Sequence, residues 1–201
     1  MARIYKILRT MADYAALNGD EVPPAMQLAV YEIPGGARGT EETLKRMVDI
    51  VRKSVRDPKR GAFLRGLAMK IIVDAGCKPK DYKCEAKVLH EWVRDKIRWT
   101  RDVRGMETLQ FPWRTLEFGA GDCDDKSILL ATLAIMAGMP ARYRAIGADP
   151  DRKKTFTHVY VMLNPNGDGR TWLAADPTVS TAPLSWESPV RYVTMDLDVE
   201  V

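Results

Sequence analysis

A chain of 201 residues, 46% hydrophobic and 29% charged, has the material for one globular domain with or without an appendage, and it shows no internal repeat or low-complexity tract. Its net charge of +4 is unevenly spread, since residues 1–105 hold 22 Lys and Arg against 14 Asp and Glu while residues 106–201 hold 9 against 13. The basic half reads as helices with solvated Lys and Arg faces rather than as a dock for peptidoglycan, membrane or nucleic acid, so no nucleic-acid partner is expected.

No apolar run approaches the roughly 20 residues that span a bilayer. The N-terminal stretch Met1 to Thr10 carries positive charge, but Arg9 and Asp13 interrupt any apolar signal segment, so a cytoplasmic location at synthesis is expected. Three cysteines, an odd number, argue against a disulfide scaffold and suit a reducing compartment.

Residues 1–17 suit a short amphipathic helix, and the stretch from Val22-Pro23-Pro24 to Gly39 is punctuated by Pro and Gly in the manner of an arm or linker. Thr40 then caps a helix whose Leu44, Met47, Val48, Val51 and Val55 recur at helical spacing and which ends before Pro58. A second helix, from about Ala62 to Ala75, carries Phe63, Leu64, Leu67, Ile71 and Ile72 and is closed by Gly76; the two pair as a hairpin. Residues 1–75 therefore read as an N-terminal arm and helical appendage, and residues 76–201 as the main domain. Asp81 opens a third helix with a core stripe of Ala86, Leu89, Val93 and Ile97, flanked by Trp92 and Trp99. After Asp102 the chain reads as irregular until Gly119.

Gly119-Ala120-Gly121-Asp122-Cys123-Asp124-Asp125 and the run behind it spell a loop, a cap and a buried helix. Asp122 is an N-cap, Asp124 and Asp125 put carboxylates in the first turn, and Gly138 and Pro140 stop a helix predicted from Cys123 to Ala137. Its apolar residues leave no polar face, which places it inside a domain. Cys123 then sits at the positive end of that helix, where unpartnered N–H groups and the dipole would bring its thiol below the free value of about 8.5.

A thiol nucleophile needs a base, and the chain has two histidines. His158 lies in a β-branched and aromatic run, Thr155 to Leu163; Asn164-Pro165-Asn166-Gly167-Asp168-Gly169 follows as a turn, and Thr171 to Asp176 returns as a strand. A hairpin centred on Gly167 sets His158 opposite Asp176 on the same face. Nucleophile, base and carboxylate then fall in the chain order Cys, His, Asp.

Gly121-Asp122-Cys123-Asp124-Asp125, Thr157-His158-Val159 and Ala175-Asp176-Pro177-Thr178 resemble the three motifs of the transglutaminase-like superfamily, most closely its small stand-alone members in bacteria and in phage or prophage genomes. The resemblance covers about residues 82 to 190. It implies a papain-like arrangement with Cys123 as nucleophile, His158 as general base and acid, and Asp176 orienting the imidazole. The multidomain body and calcium-binding loops of the animal crosslinking enzymes have no counterpart here. An oxyanion hole would use the Cys123 N–H, and in papain-like sites a glutamine ahead of the nucleophile supplies the second donor, which points to Gln110. Trp113, with its indole N–H, and Trp172 read as walls of the cleft or the core.

Other clusters read blandly. Cys84 and His90 are six positions apart on one helix and cannot form a nucleophile–base pair, and a zinc site built on Cys77, Cys84 and His90 lacks a fourth soft ligand. Capping explains Asp122, Asp124 and Asp125, so neither metal nor cofactor is expected. In the tail, Val193, Met195, Leu197, Val199 and Val201 alternate with polar residues as a half-buried strand that closes this domain's own sheet or, at an edge, pairs with another chain.

The expected fold is α+β: N-terminal helices, a central helix bearing Cys123, and an antiparallel sheet from about Ala141 onward that carries His158 and Asp176. The expected function is that of a cysteine peptidase or amidase, a hydrolase acting through a thioester on a protein or peptide, including cell-wall peptide. The alternatives are a phage-particle module that keeps the fold to bind structural proteins of the virion, and a protein-crosslinking transglutaminase.

Overall fold

A helix without a polar face must be covered on all sides. In the computed structural model, which describes residues 29–31, 36–101 and 107–201, that helix packs between a sheet and four other helices. The elements in chain order are β1 (Ala29–Tyr31), α1 (Gly36–Arg56), α2 (Pro58–Asp74), α3 (Tyr82–Lys96), β2 (Arg98–Trp99), β3 (Glu107–Leu109), α4 (Pro112–Phe118), β4 (Ala120–Gly121), α5 (Cys123–Met136), β5 (Ala141–Gly147), β6 (His158–Leu163), β7 (Leu173–Ala175) and β8 (Val193–Asp198). The expected α+β architecture is present. The helix expected over residues 1–17 lies outside the described residues.

The central α5 starts at the expected residue and ends one short of Ala137. Its Ile128, Leu129, Leu130 and Leu133 have no exposed surface, and truncating any of them would cost roughly 2–5 kcal/mol. One core cluster joins these residues to Leu44 and Met47 of α1, Leu64 and Leu67 of α2, Leu89 and Val93 of α3, and Tyr143 and Val161 of the sheet. Strands β7, β6, β5 and β8 form an antiparallel sheet in that spatial order. The C-terminal strand β8 pairs with β5 and alternates half-buried and exposed residues, so it closes the domain's own sheet.

Several boundaries differ from the sequence reading. The second helix begins at Pro58, four residues early, because Asp57 accepts from the Lys59 and Arg60 N–H groups and Pro58 stands at the first helical position, where its missing N–H costs nothing. The stretch read as irregular between Asp102 and Gly119 holds β3 and α4; Pro112 again begins a helix. Cys77 and Cys84 form a disulfide, their Cα atoms 5.7 Å apart, across the turn between α2 and α3. This corrects the expectation of unpaired thiols and leaves Cys123 as the free cysteine. Among the described residues no helix is long and apolar enough to cross a membrane.

Candidate active site

The loop before α5 is held from three sides. Arg98 N–H donates to Gly119 O at 2.8 Å and Thr100 N–H to Gly121 O at 3.1 Å, tying the loop to the chain leaving α3. Asp122 caps α5 by accepting from the Asp124 and Asp125 N–H groups, while buried Asp125 accepts from Asp122 N–H, completing a capping box. Gly121 is required by proximity, since a Cβ there would lie 2.6 Å from Asp125 Cβ.

Cys123 is the first residue of α5, so its N–H has no intrahelical partner. Its thiol lines a cavity of about 330 Å³ together with His158, Asp122, Asp124 and Phe156, closed on another side by Thr40, Thr43 and Leu44 of α1. Burial pushes this thiol well up, and the Asp124 and Asp122 carboxylates push it the same way, against N–H groups of Val159 and Asp124 that favour the thiolate. That corrects the expectation of a lowered thiol pKa: the helix terminus supplies N–H groups, but it also brings two acids and little water.

His158 opens β6, and its Nε2 lies 2.7 Å from Asp176 Oδ2. The register that delivers this contact is not the expected one. Val161 faces Ala175 and Leu163 faces Leu173, so the nine-residue connection is centred on Asp168, whose carboxylate accepts from the Arg170 and Thr171 N–H groups. Continued past the end of β7, that register would set residue 176 opposite Tyr160, two residues from His158. A shift of two keeps the face, so His158 and Asp176 meet as diagonal neighbours.

Asp176 is 3% exposed. Burial works to raise its carboxyl, but the hydrogen bond from His158, with those from Thr178 Oγ1 at 2.6 Å and Thr178 N–H at 2.9 Å, outweighs it and holds the group below the usual range. Thr178 was visible in the Asp-Pro-Thr motif, where a hydroxyl two residues after an aspartate can turn back onto it.

Gln110 does not line the cavity. Its Nε2 donates to Asp125 Oδ2 at 2.7 Å and its N–H to Asp125 Oδ1 at 2.8 Å, so the amide expected at an oxyanion instead braces the cap of α5. Trp113 is buried against Phe111 and beneath the Arg60 guanidinium, and Trp172 packs with Ile146 and Tyr160, so both are packing residues outside the cavity. Asp122, Cys123 and Asp124 bring donor atoms within 4.8 Å of one another, a grouping that the capping of α5 accounts for. A larger groove of about 550 Å³ between α1 and β8 is lined by charges such as Arg142, Asp196 and Asp198 and includes none of the candidate residues.

Two buried groups have partners that the sequence reading did not foresee. Lys126, in the first turn of the apolar helix, donates to Ile97 O at 2.7 Å and Arg94 O at 3.2 Å, serving carbonyls that the end of α3 leaves open; burial brings it down to about 8. His90 of α3 has no exposed surface, and its Nε2 lies 2.9 Å from Asp176 O. Burial lowers the His90 pKa, with Arg94 acting the same way and Asp176 and Glu91 opposing it. Because the unfolded chain takes up this proton first, the His90 contribution is present above about pH 6.5 and is lost as pH falls below it, at up to about 1.4 kcal/mol per pH unit. Thermal melts between pH 7.5 and pH 5.5 are expected to show this slope in the wild type and a shallower one in His90→Gln.

A family model for the transglutaminase-like superfamily matches residues 71–177. A search of curated proteins returned no match. Among solved structures the chain is similar to one from Cytophaga hutchinsonii, described provisionally as a cysteine protease, with 18% identity and a TM-score of 0.46 over 68% of this chain and 43% of that one. The chain thus spans less than half the length of that protein.

Proposed function

The chain belongs to the transglutaminase-like superfamily, and from that premise we propose that it is a cysteine-dependent acyl-transfer enzyme, a peptidase or amidase working through a thioester on Cys123. One observation carries the reading: the imidazole of His158, which lines the same cavity as Cys123, is bonded through Nε2 to a buried carboxylate. Asp176 accepts the Nε2 proton, which leaves the lone pair on Nδ1 and makes His158 a base. Cys123 Sγ forms a bond to the substrate carbonyl carbon as its proton passes to His158 Nδ1. Collapse of the tetrahedral adduct breaks the C–N bond, and His158 returns the proton to the leaving amine. Water, activated by the same base, then cleaves the thioester to a free acid. The Cys123 N–H, first in α5, is one donor to the oxyanion.

Hydrolysis is expected to exceed transfer to an amine. With water near about 55 M and an amine at about 10 mM, an acceptor must gain roughly 5 kcal/mol from binding or reactivity to compete. Incubation with candidate peptides, cell-wall fragments and a labelled primary amine, read by mass spectrometry, should yield free acid. Predominant amine adduct would replace the hydrolase by a crosslinking transferase, and neither product from protein with reduced Cys123 would favour an interaction module.

A further inference from the structure

We propose that His90 is a positioning residue for the proposed Cys-His-Asp site: from the buried face of α3 its Nε2–H donates to the Asp176 main-chain carbonyl and fixes where the Asp176 carboxylate meets His158. The inference rests on the acyl-transfer reading, and its physical need is plain in the backbone. Asp176 stands one residue beyond β7, past the last ladder pair at Ala175, so the sheet does not hold it. Thr178 grips the carboxylate from within the same turn, which orients the side chain relative to that turn but does not anchor the turn to the domain. His90 makes that link from an element 86 residues away in sequence.

The ring is suited to donate and to little else. It is fully buried, and Nδ1 has no hydrogen-bond partner among the described residues, so the bond to Asp176 is the one that gives this imidazole its polar role. The helix that carries it also receives the Lys126 ammonium at its C-terminal carbonyls. Through two buried polar contacts α3 therefore ties the helix bearing Cys123 to the turn bearing Asp176, and it sets the two halves of the site against each other.

The test is the rate of Cys123 alkylation by iodoacetamide near pH 7 in the full chain, for wild type, His90→Phe, His90→Gln, Asp176→Asn and the double variant His90→Phe with Asp176→Asn. His90→Phe is expected to slow the reaction by about tenfold or more, because the base loses its oriented carboxylate. His90→Gln, whose amide N–H reaches the same carbonyl, should stay within about threefold of wild type. In the Asp176→Asn background His90→Phe should add less than about twofold, since a residue that acts through Asp176 has nothing left to position. A wild-type rate in His90→Phe, equal slowing in the Phe and Gln variants, or a full additive effect in the double variant would overturn the proposal. If His90→Phe does not fold, His90→Leu, which also lacks the donor, takes its place with the same expected slowing, and a wild-type rate in it overturns the proposal. A wild-type rate in Asp176→Asn would remove the mechanism together with the positioning role, whereas slowing there without slowing in His90→Phe removes His90 alone.

Discussion

Cys123→Ser is expected to lower turnover by about 10⁴-fold or more while leaving the fold in place. The substitution is small and the first turn of a helix accepts serine, so the capping box of Asp122 and Asp125 and the packing behind it have no reason to move. The chemistry changes far more. Burial and two flanking carboxylates hold the Cys123 thiol above its ordinary range, so the proposed mechanism needs His158 to take up a proton as the thiol attacks, and a hydroxyl holds that proton more tightly still. The same cause predicts how the wild-type thiol reacts. Alkylation by iodoacetamide should fall on Cys123, because Cys77 and Cys84 are bonded to each other, and its rate should keep rising with pH beyond the range of a free thiol. A rate that levels off below about pH 8.5 would mean a preformed thiolate, with the N–H groups of Val159 and Asp124 outweighing the acids.

What the sequence made legible were features that act locally. The α5 helix announces itself through a capping aspartate, an uninterrupted apolar run and a Gly-x-Pro stop, and its observed ends agree to one residue. Cys123, His158 and Asp176 could be named because each lies in a short recognisable stretch, and the structure brings His158 and Asp176 into contact although the pairing argued for them was two residues out of register. The miss has a physical reason. Register depends on how the residues of a turn bond to one another, and the Asp168 carboxylate organises a longer turn than glycine positions alone suggest. Proline misled at Pro58, because a residue that ends one helix is equally fit to begin the next, and the short helix that begins at Pro112 was not read at all. The Cys77–Cys84 bond, the Gln110–Asp125 brace and the buried Lys126 and His90 are tertiary facts. Each depends on what another element presents to it: for Lys126 and His90 that partner is a main-chain carbonyl, which has no residue type to read.

Asp176→Asn is expected to leave the protein folded and to lower turnover by about 10²- to 10⁴-fold, and the hydrogen bonds around the carboxylate say why. Oδ1 accepts from both the Thr178 N–H and the Thr178 hydroxyl, so in an asparagine the carbonyl oxygen must occupy that position. The amide NH₂ is then turned toward His158 Nε2, where Asp176 Oδ2 sat at 2.7 Å. Two donors cannot share that contact, so the imidazole moves its proton from Nε2 to Nδ1, the nitrogen that would have taken the proton of Cys123. The variant therefore changes one oxygen of the site to nitrogen, keeps its shape and lacks its base. It also lacks the charge that would stabilise the imidazolium formed as Cys123 attacks. Turnover on any substrate found to be cleaved, measured beside a thermal melt, separates this from simple destabilisation: a folded variant that turns over at the wild-type rate would remove Asp176 from the mechanism.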